Sequence, residues 1–188
     1  MINRNIIIFI PSIEGYGVEK NLFIISNYLS KKFKSVKIVT LSNKYKKKFN
    51  SKINFISFKN PFFNKGGRLI KYFFSIFLLI KVIFQTQNPI IFSFQSNVLA
   101  ILISKLFNKK IVIRLNSSIY DKKRYLFNKI ISFFYNSSNS VIVNSIDFKR
   151  EVKKILNVDA VQIYNPLDIK DIKIKSKKRI TSFKKNNY

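Results

Sequence analysis

Two glycines, Gly15 and Gly17, lie between a short apolar run and the first helical pattern of the sequence. The apolar run, residues 6–10, has the character of a buried strand, and Pro11 ends it. Glycines at such a place let backbone N–H groups and the N-terminus of the next helix approach a phosphate. An ordinary tight turn between a strand and a helix explains the same residues, so the loop alone leaves both interpretations open.

The loop departs from the dinucleotide-binding fingerprint at two places. The third glycine position is occupied by Lys20, and the second apolar run ends in Leu41-Ser42-Asn43-Lys44, where an acidic residue would be needed to hold a ribose. An NAD-dependent dehydrogenase is therefore disfavoured.

Other common chemistries lack the side chains that they need. The chain has no His and no Cys, which excludes a Ser-His-Asp triad, a disulfide, and imidazole or thiolate metal sites formed by this chain. Its eight carboxylates are mostly scattered singly, which disfavours a glycosidase site built from two of them. We expect neither a metal nor a resident cofactor.

The elements that must position the glycine loop follow from hydrophobic patterning. Short β-branched runs alternate with longer segments of helical period, and most runs are apolar on both faces, which is typical of a parallel sheet covered by helices on both sides. The sequence therefore predicts an α/β fold with a doubly wound, mostly parallel sheet. The predicted strands are residues 6–10, 36–41, 53–58, 90–94, 111–115, 140–143 and 161–164, and the predicted helices are residues 18–33, 68–85, 96–107, 124–135 and 147–156.

A chain of 188 residues suits one α/β domain with a tail. We predict that the domain covers residues 1–168. Residues 169–188 combine many lysines with few apolar side chains, so we predict a basic linker or a frayed end without a folded element.

The loop and several later stretches carry a family resemblance. Residues 8–41 resemble the opening of the retaining glycosyltransferases of family four, whose first strand leads into a Gly-Gly-x-Glu-Arg type loop, and Gly15, Gly17, Glu19 and Lys20 fall on that loop. In the family's order, its later strands and the signature before its interdomain hinge resemble residues 88–93, 110–117, 140–145 and 163–168.

The resemblance implies the N-terminal half of a GT-B fold, in which two Rossmann-like domains face each other across a cleft. In this family the first domain mainly holds the acceptor, and the second holds the nucleotide-sugar and carries paired glutamates, a motif that these 188 residues do not contain. The second domain is thus expected to be missing, and the chain alone to be inactive.

The implied function is transfer of a sugar, with retention, from a nucleotide-sugar donor to a saccharide or lipid-linked acceptor. Cell-surface polysaccharide or glycolipid synthesis would be its setting. The expected location is cytoplasmic or peripheral, on the inner face of the cell membrane. Two alternatives stay open: a truncated, non-catalytic remnant and a basic nucleic-acid-binding module, although no RNP, GXXG or zinc motif supports specific nucleic-acid binding.

The resemblance also implies roles for individual residues, although it assigns no catalytic one. Gly15 and Gly17, with Glu19 beside them, would let the loop approach the donor's diphosphate. At the end of a strand, Arg114, Asn116 and Ser117 would bind the acceptor or a phosphate, although Arg114 also fits a plain surface position. Asn165 would lie at the hinge, or simply form an Asn-Pro turn.

The charge of the chain and one helical segment bear on location. Lys and Arg number 36 against 8 Asp and Glu, a net charge of +28, which favours anionic partners but also matches the lysine bias of AT-rich codons. Residues 68–85 have an apolar arc wider than one contact with a sheet needs, so the helix could rest on an anionic bilayer or be a deeply buried crossover. We expect no transmembrane anchor, because lysines interrupt this segment.

Overall fold

The central element of the fold is a parallel sheet of seven strands. The computed structural model describes residues 1–13, 17–41, 43–58, 68–117 and 125–176. Every neighbouring pair is parallel, and the order across the sheet is β3-β2-β1-β4-β5-β6-β7. The strands are β1 (Ile2–Phe9), β2 (Phe33–Val39), β3 (Asn54–Ile56), β4 (Ile90–Ser93), β5 (Lys110–Arg114), β6 (Ser140–Val143) and β7 (Ala160–Gln162).

Helices cross between the strands on both sides of this sheet. The helices of the described residues are α1 (Gly17–Lys32), α2 (Arg68–Phe84), α3 (Asn97–Leu106), α4 (Tyr125–Ser137), α5 (Ile146–Leu156) and α6 (Ile169–Ser176), and a short 3-10 helix covers Lys46–Lys48. Right-handed crossovers place α1 on one face of the sheet and α2 to α5 on the other. Neighbours along that second row, from α2 to α5, pack against each other.

The two faces of the sheet each have an apolar core, because successive side chains of a strand point to opposite sides. In β1, Ile7 and Phe9 join the core under α2 to α5, while Ile6 and Ile8 join the core under α1. All four side chains are at most 5% exposed. Burial on both faces explains why these strands are continuous apolar runs and not alternating ones.

All seven predicted strands and all five predicted helices are found, with ends that differ by a few residues. The α/β doubly wound fold is thus confirmed, and the sheet is entirely parallel. The predicted helix 124–135 begins at residue 124, which lies outside the described part of the chain. The predicted tail after Ser176 also lies outside it.

The prediction that residues 169–188 contain no folded element is wrong for residues 169–176. Residues of the expected linker form a helix, α6, which begins where Ile172 N donates to Asp168 O at 2.9 Å. Its isoleucines, Ile169, Ile172 and Ile174, are 46% to 63% exposed. Because these side chains have little contact with a core, the sequence of α6 has no apolar side of the kind that predicts a packed helix.

The chain reverses its direction across the sheet at β1. It proceeds outward from β1 to β2 and β3, and then returns to build β4 on the other side of β1. The carboxyl ends of β1 and β4 therefore border the crevice in which open α/β sheets bind ligands.

Candidate functional site

A cavity of about 900 Å³ opens at this crevice. The residues at and after the carboxyl ends of β1, β4 and β5 contribute most of its wall, and residues near the start of α1 and α2 and at both ends of α4 contribute the rest. Its lining combines aromatic and aliphatic side chains with amides, hydroxyls and cations, as expected for a site that binds a small polar molecule. The residues that line it are Ser12, Val18, Glu19, Lys71, Tyr72, Phe94, Gln95, Ser96, Asn97, Val98, Leu99, Arg114, Leu115, Asn116, Ser117, Phe127 and Tyr135.

Arg114, the last residue of β5, is the largest charged side chain buried in this wall, with 1% of its surface exposed. Its Nη2 donates to Asn165 Oδ1 at 2.8 Å and to the carbonyl of Ile163 at 3.2 Å. The sequence was compatible with a surface position for Arg114, and the burial of this side chain excludes that position. The hydrogen bond to Asn165 brings together two predicted site residues that are 51 positions apart in the sequence.

The guanidinium of Arg114 is held by neutral oxygens. Among the described residues, no carboxylate pairs with it and its buried Nε has no hydrogen-bond partner. Burial lowers the pKa of Arg114 from its ordinary value, yet a guanidinium stays charged in proteins. The side chain therefore brings a positive charge to the cavity wall, with an N–H group available to an anionic ligand.

Asn116, two residues after Arg114, also reaches the cavity. Its Nδ2 donates to the carbonyl of Phe94 at 2.9 Å, which fixes the orientation of the amide. Its Oδ1 is buried and has no hydrogen-bond partner in the described part of the chain. Ser117 lines the same cavity but is exposed. The structure thus places Arg114, Asn116 and Ser117, which the sequence predicted as site residues, in the wall of one cavity.

The turn between β4 and α3 adds site residues that the sequence did not reveal. Asn97 donates to the carbonyl of Arg114 at 3.2 Å and accepts from Ser93 Oγ at 2.8 Å, so it ties this turn to β5. Ser96 precedes it with φ at 55°, in the left-handed region that costs non-glycine residues free energy, and its Oγ is buried without a partner among the described residues. The sequence contained one signal for this turn, which was Ser93, a serine at the end of an otherwise apolar strand.

The predicted donor loop is only partly described. Gly15 lies outside the described residues. Gly17 begins α1 and is exposed, and a Cβ built on it would meet no atom within 4 Å. Glu19, in the first turn of α1, is 2% exposed and lines the cavity. The described residues on either side of the loop, Ser12 and Glu19, line the same cavity as Arg114 and Asn116.

No cluster of three or more potential metal ligands from His, Cys, Asp or Glu occurs in the described segments. The polar groups that the cavity offers are hydroxyls, amides and cations, together with the carboxylate of Glu19. Such a set can bind phosphate oxygens and sugar hydroxyls through hydrogen bonds alone.

The model of the Glycosyltransferase Family 4 domain matches residues 16–171, which include all of the cavity wall except Ser12. The chain belongs to glycosyltransferase family 4. The match and the parallel sheet together make it an N-terminal domain of the GT-B fold. No curated protein matches the sequence.

Solved structures of glycosyltransferases share this fold with the family 4 chain. Alr3699/HepE of Anabaena, in complex with UDP and glucose, superposes with a TM-score of 0.64 at 13% identity, over 89% of this chain and 46% of that one. A glycosyltransferase from Rickettsia africae gives a TM-score of 0.61 at 15% identity, over 93% and 49%. UGT2 of Phytolacca americana, in complex with UDP-2-fluoro-glucose and pterostilbene, superposes with a TM-score of 0.59 at 10% identity, over 95% of this chain and 58% of that one. The chain spans about half the length of these structures.

Proposed function

We propose that this domain is the acceptor-side half of a retaining glycosyltransferase that uses a nucleotide-sugar as co-substrate. The observation that carries the proposal is a set of three buried polar atoms in one cavity wall. Ser96 Oγ, Arg114 Nε and Asn116 Oδ1 have no hydrogen-bond partner in the described residues. Buried polar atoms are normally paired, so a wall with three such atoms suits a polar ligand.

The types of these atoms indicate the class of ligand. Arg114 offers a charged donor, which suits a phosphate or diphosphate oxygen. Asn116 Oδ1 can only accept, so it needs a donor such as a sugar hydroxyl, whereas Ser96 Oγ can donate or accept. A phosphorylated sugar, on the donor or on the acceptor, provides both kinds of group.

Two of these complexes support a nucleotide-sugar as the donor, since Alr3699/HepE holds UDP and glucose and UGT2 of Phytolacca holds UDP-2-fluoro-glucose. In our proposal the residues after α6 lead to a second domain that holds the nucleotide, and Gly15 and Gly17 face its diphosphate across the cleft. Catalysis would consist of positioning and of stabilising the leaving diphosphate, without a metal or a resident cofactor in this half.

The acceptor in this proposal is a saccharide or a lipid-linked saccharide of cell-surface polysaccharide or glycolipid synthesis. Four lining residues offer the apolar and aromatic surface on which a sugar ring or the first part of a lipid tail can pack: Tyr72, Phe94, Leu99 and Phe127. The enzyme would act at the cytoplasmic side of the cell membrane.

Calorimetry with UDP-sugars tests the proposal on the chain joined to its second domain and, separately, on the chain alone. Arg114→Met should lower the affinity of the joined protein for a UDP-sugar or a phosphorylated acceptor by about tenfold or more, the loss expected for a charge-assisted hydrogen bond. Arg150→Met is the matched control, since it removes the same charge from an exposed side chain paired with Asp147. Two results would overturn the proposal: no binding to the joined protein, or equal losses in both variants.

A further inference from the structure

Three neighbouring helices expose an apolar face that no part of the described chain covers. On α2 the exposed side chains recur at helical spacing, at Ile70, Phe73, Phe77, Lys81 and Phe84, opposite the buried stripe that packs on the sheet. Among them Phe73 and Phe84 are 71% and 72% exposed. The sequence left open whether this helix is wholly buried, and the structure shows that one of its sides is not.

The exposed face continues across the next two helices. Leu102 and Leu106 project from α3, and α4 exposes Tyr125, Leu126, Phe127, Ile130 and Phe133. The face is continuous, because α3 packs between α2 and α4 and the ring of Phe84 lies edge-on against that of Phe107 at 4.9 Å. A patch of this extent on three helices is more than scattered surface residues produce, and it marks an interaction site.

The charges on this face indicate which partner it takes. The segments α2, α3 and α4 contain no Asp or Glu, while Lys81, Lys105 and Lys129 are exposed among the apolar side chains. Lys129 lies over the ring of Tyr125, 4.9 Å from its centroid. Aromatic and aliphatic groups interleaved with lysines, on a chain of charge +28, complement a surface that is both apolar and anionic. In the described helices no segment is long and apolar enough to cross a bilayer.

We infer that the face formed by α2, α3 and α4 docks on an anionic lipid bilayer. The apolar rings enter the boundary between headgroups and acyl chains, and the three lysines bind lipid phosphates. The inference deepens the proposed function by naming the acceptor class. Phe127 in α4 belongs to both the face and the cavity wall, so a docked domain presents its cavity to a lipid-linked acceptor.

Sedimentation of the full chain with phospholipid vesicles tests the apolar part of this inference. Phe77→Ser with Phe133→Ser should lower binding to vesicles that contain phosphatidylglycerol by about tenfold or more, since two large apolar side chains lose their burial in lipid. Tyr28→Ser with Leu167→Ser is the matched control, because these side chains are equally exposed but lie outside the face. Equal binding by the two double variants would overturn the inference.

The charged part has its own test in the same assay. Replacing three lysines of the face by Gln should weaken binding to the anionic vesicles, and added salt should weaken the binding of the unchanged chain in the same way. Binding to pure phosphatidylcholine vesicles should be weak for every variant. A control with the same change in net charge replaces exposed lysines on the α1 side of the sheet. The face variant carries Lys81→Gln, Lys105→Gln and Lys129→Gln, and the control carries Lys31→Gln, Lys32→Gln and Lys34→Gln. Equal losses would mean that total charge drives binding, and the docking face would be wrong.

Two further measurements separate this inference from its rivals. Phe77 and Phe133 do not line the cavity, so their double variant should bind a UDP-sugar as the unchanged protein does. If the chain joined to its second domain docks on vesicles but binds no nucleotide-sugar, the proposed function is overturned and the docking face stands. If light scattering shows a dimer that the double variant dissociates, the face binds a second copy of the chain, and the inference is overturned.

Discussion

Arg114 shows what one residue contributes to this site and what its burial costs. A buried guanidinium that pairs with no carboxylate of the described segments loses hydration, and the two neutral oxygens that it contacts replace only part of it. In our proposal an anionic ligand in the cavity offsets this cost. The prediction that this side chain acts at the end of β5 was available from the sequence, whereas its contact with Asn165 was not.

Gly17 provides a test at the same scale. Gly17→Ala should change the free energy of unfolding by less than about 0.5 kcal/mol, because the added Cβ would meet open space and alanine favours a helix. Urea unfolding of the chain measures this. If the donor's diphosphate approaches the loop closely, the same substitution should weaken UDP-sugar binding to the two-domain protein. A large loss of stability would contradict the open surroundings of Gly17.

Tyr135 makes stability depend on alkaline pH. Burial raises the pKa of its hydroxyl above the ordinary value of 10.0, so the folded chain keeps a proton that the unfolded chain releases. Above about pH 10 the folded state binds more protons than the unfolded state, and the free energy of unfolding falls as pH rises, by up to about 1.4 kcal/mol per unit. Tyr135→Phe should remove this component.

Urea unfolding between about pH 9 and pH 11 measures the difference between the two proteins. The free energy of unfolding of Tyr135→Phe minus that of the unchanged chain should rise above about pH 10. Tyr164→Phe is the control, since that side chain is 69% exposed. A difference that stays constant with pH would contradict the burial of the Tyr135 hydroxyl.

At the scale of elements, α2 illustrates how one helix can serve two surfaces. Leu78, Leu79, Val82 and Ile83 pack into the core under the sheet, and the opposite side carries the exposed phenylalanines. Patterning predicted the position of this helix well, because a long apolar segment of helical period is a strong signal. The same apolar arc gave no indication of which side would meet the sheet.

Two substitutions in α2 test this division. Leu79→Ala should lower the free energy of unfolding by about 2–5 kcal/mol, because it leaves a cavity in a fully buried cluster. Phe77→Ala should lower it by less than about 1 kcal/mol, since 57% of that side chain already meets solvent. Urea unfolding of both variants is the measurement. Equal losses would mean that α2 packs with a different face toward the sheet.

For the whole molecule, the excess of positive charge is the dominant feature of the surface. The two ion pairs found among described surface residues, Arg150 with Asp147 and Lys153 with Asp159, offset little of a net charge of +28. Self-repulsion of this kind opposes the compact state. The fold therefore depends on the two apolar cores of the sheet and not on surface ion pairs.

Salt should accordingly stabilise the chain. Raising sodium chloride from about 0.02 M to 0.3 M should raise the melting temperature by a few degrees, because the Debye length shortens and repulsion between surface lysines weakens. Differential scanning calorimetry measures the shift. Chloride is preferable to sulfate, which also strengthens apolar burial. A melting temperature that falls with sodium chloride would show that attractive ion pairs outweigh the repulsion.

The sequence by itself determined the order of strands and helices, the parallel sheet and the edge of the sheet at which Arg114 and Asn116 lie. Apolar runs such as that of β1 are local signals, and the carboxyl ends of parallel strands share one edge of the sheet in any such fold. The tertiary structure alone decided the contact of Arg114 with Asn165, the participation of Ser96 and Asn97, and the side of α2 left exposed. These features depend on packing between segments far apart in the chain, which a local pattern does not encode.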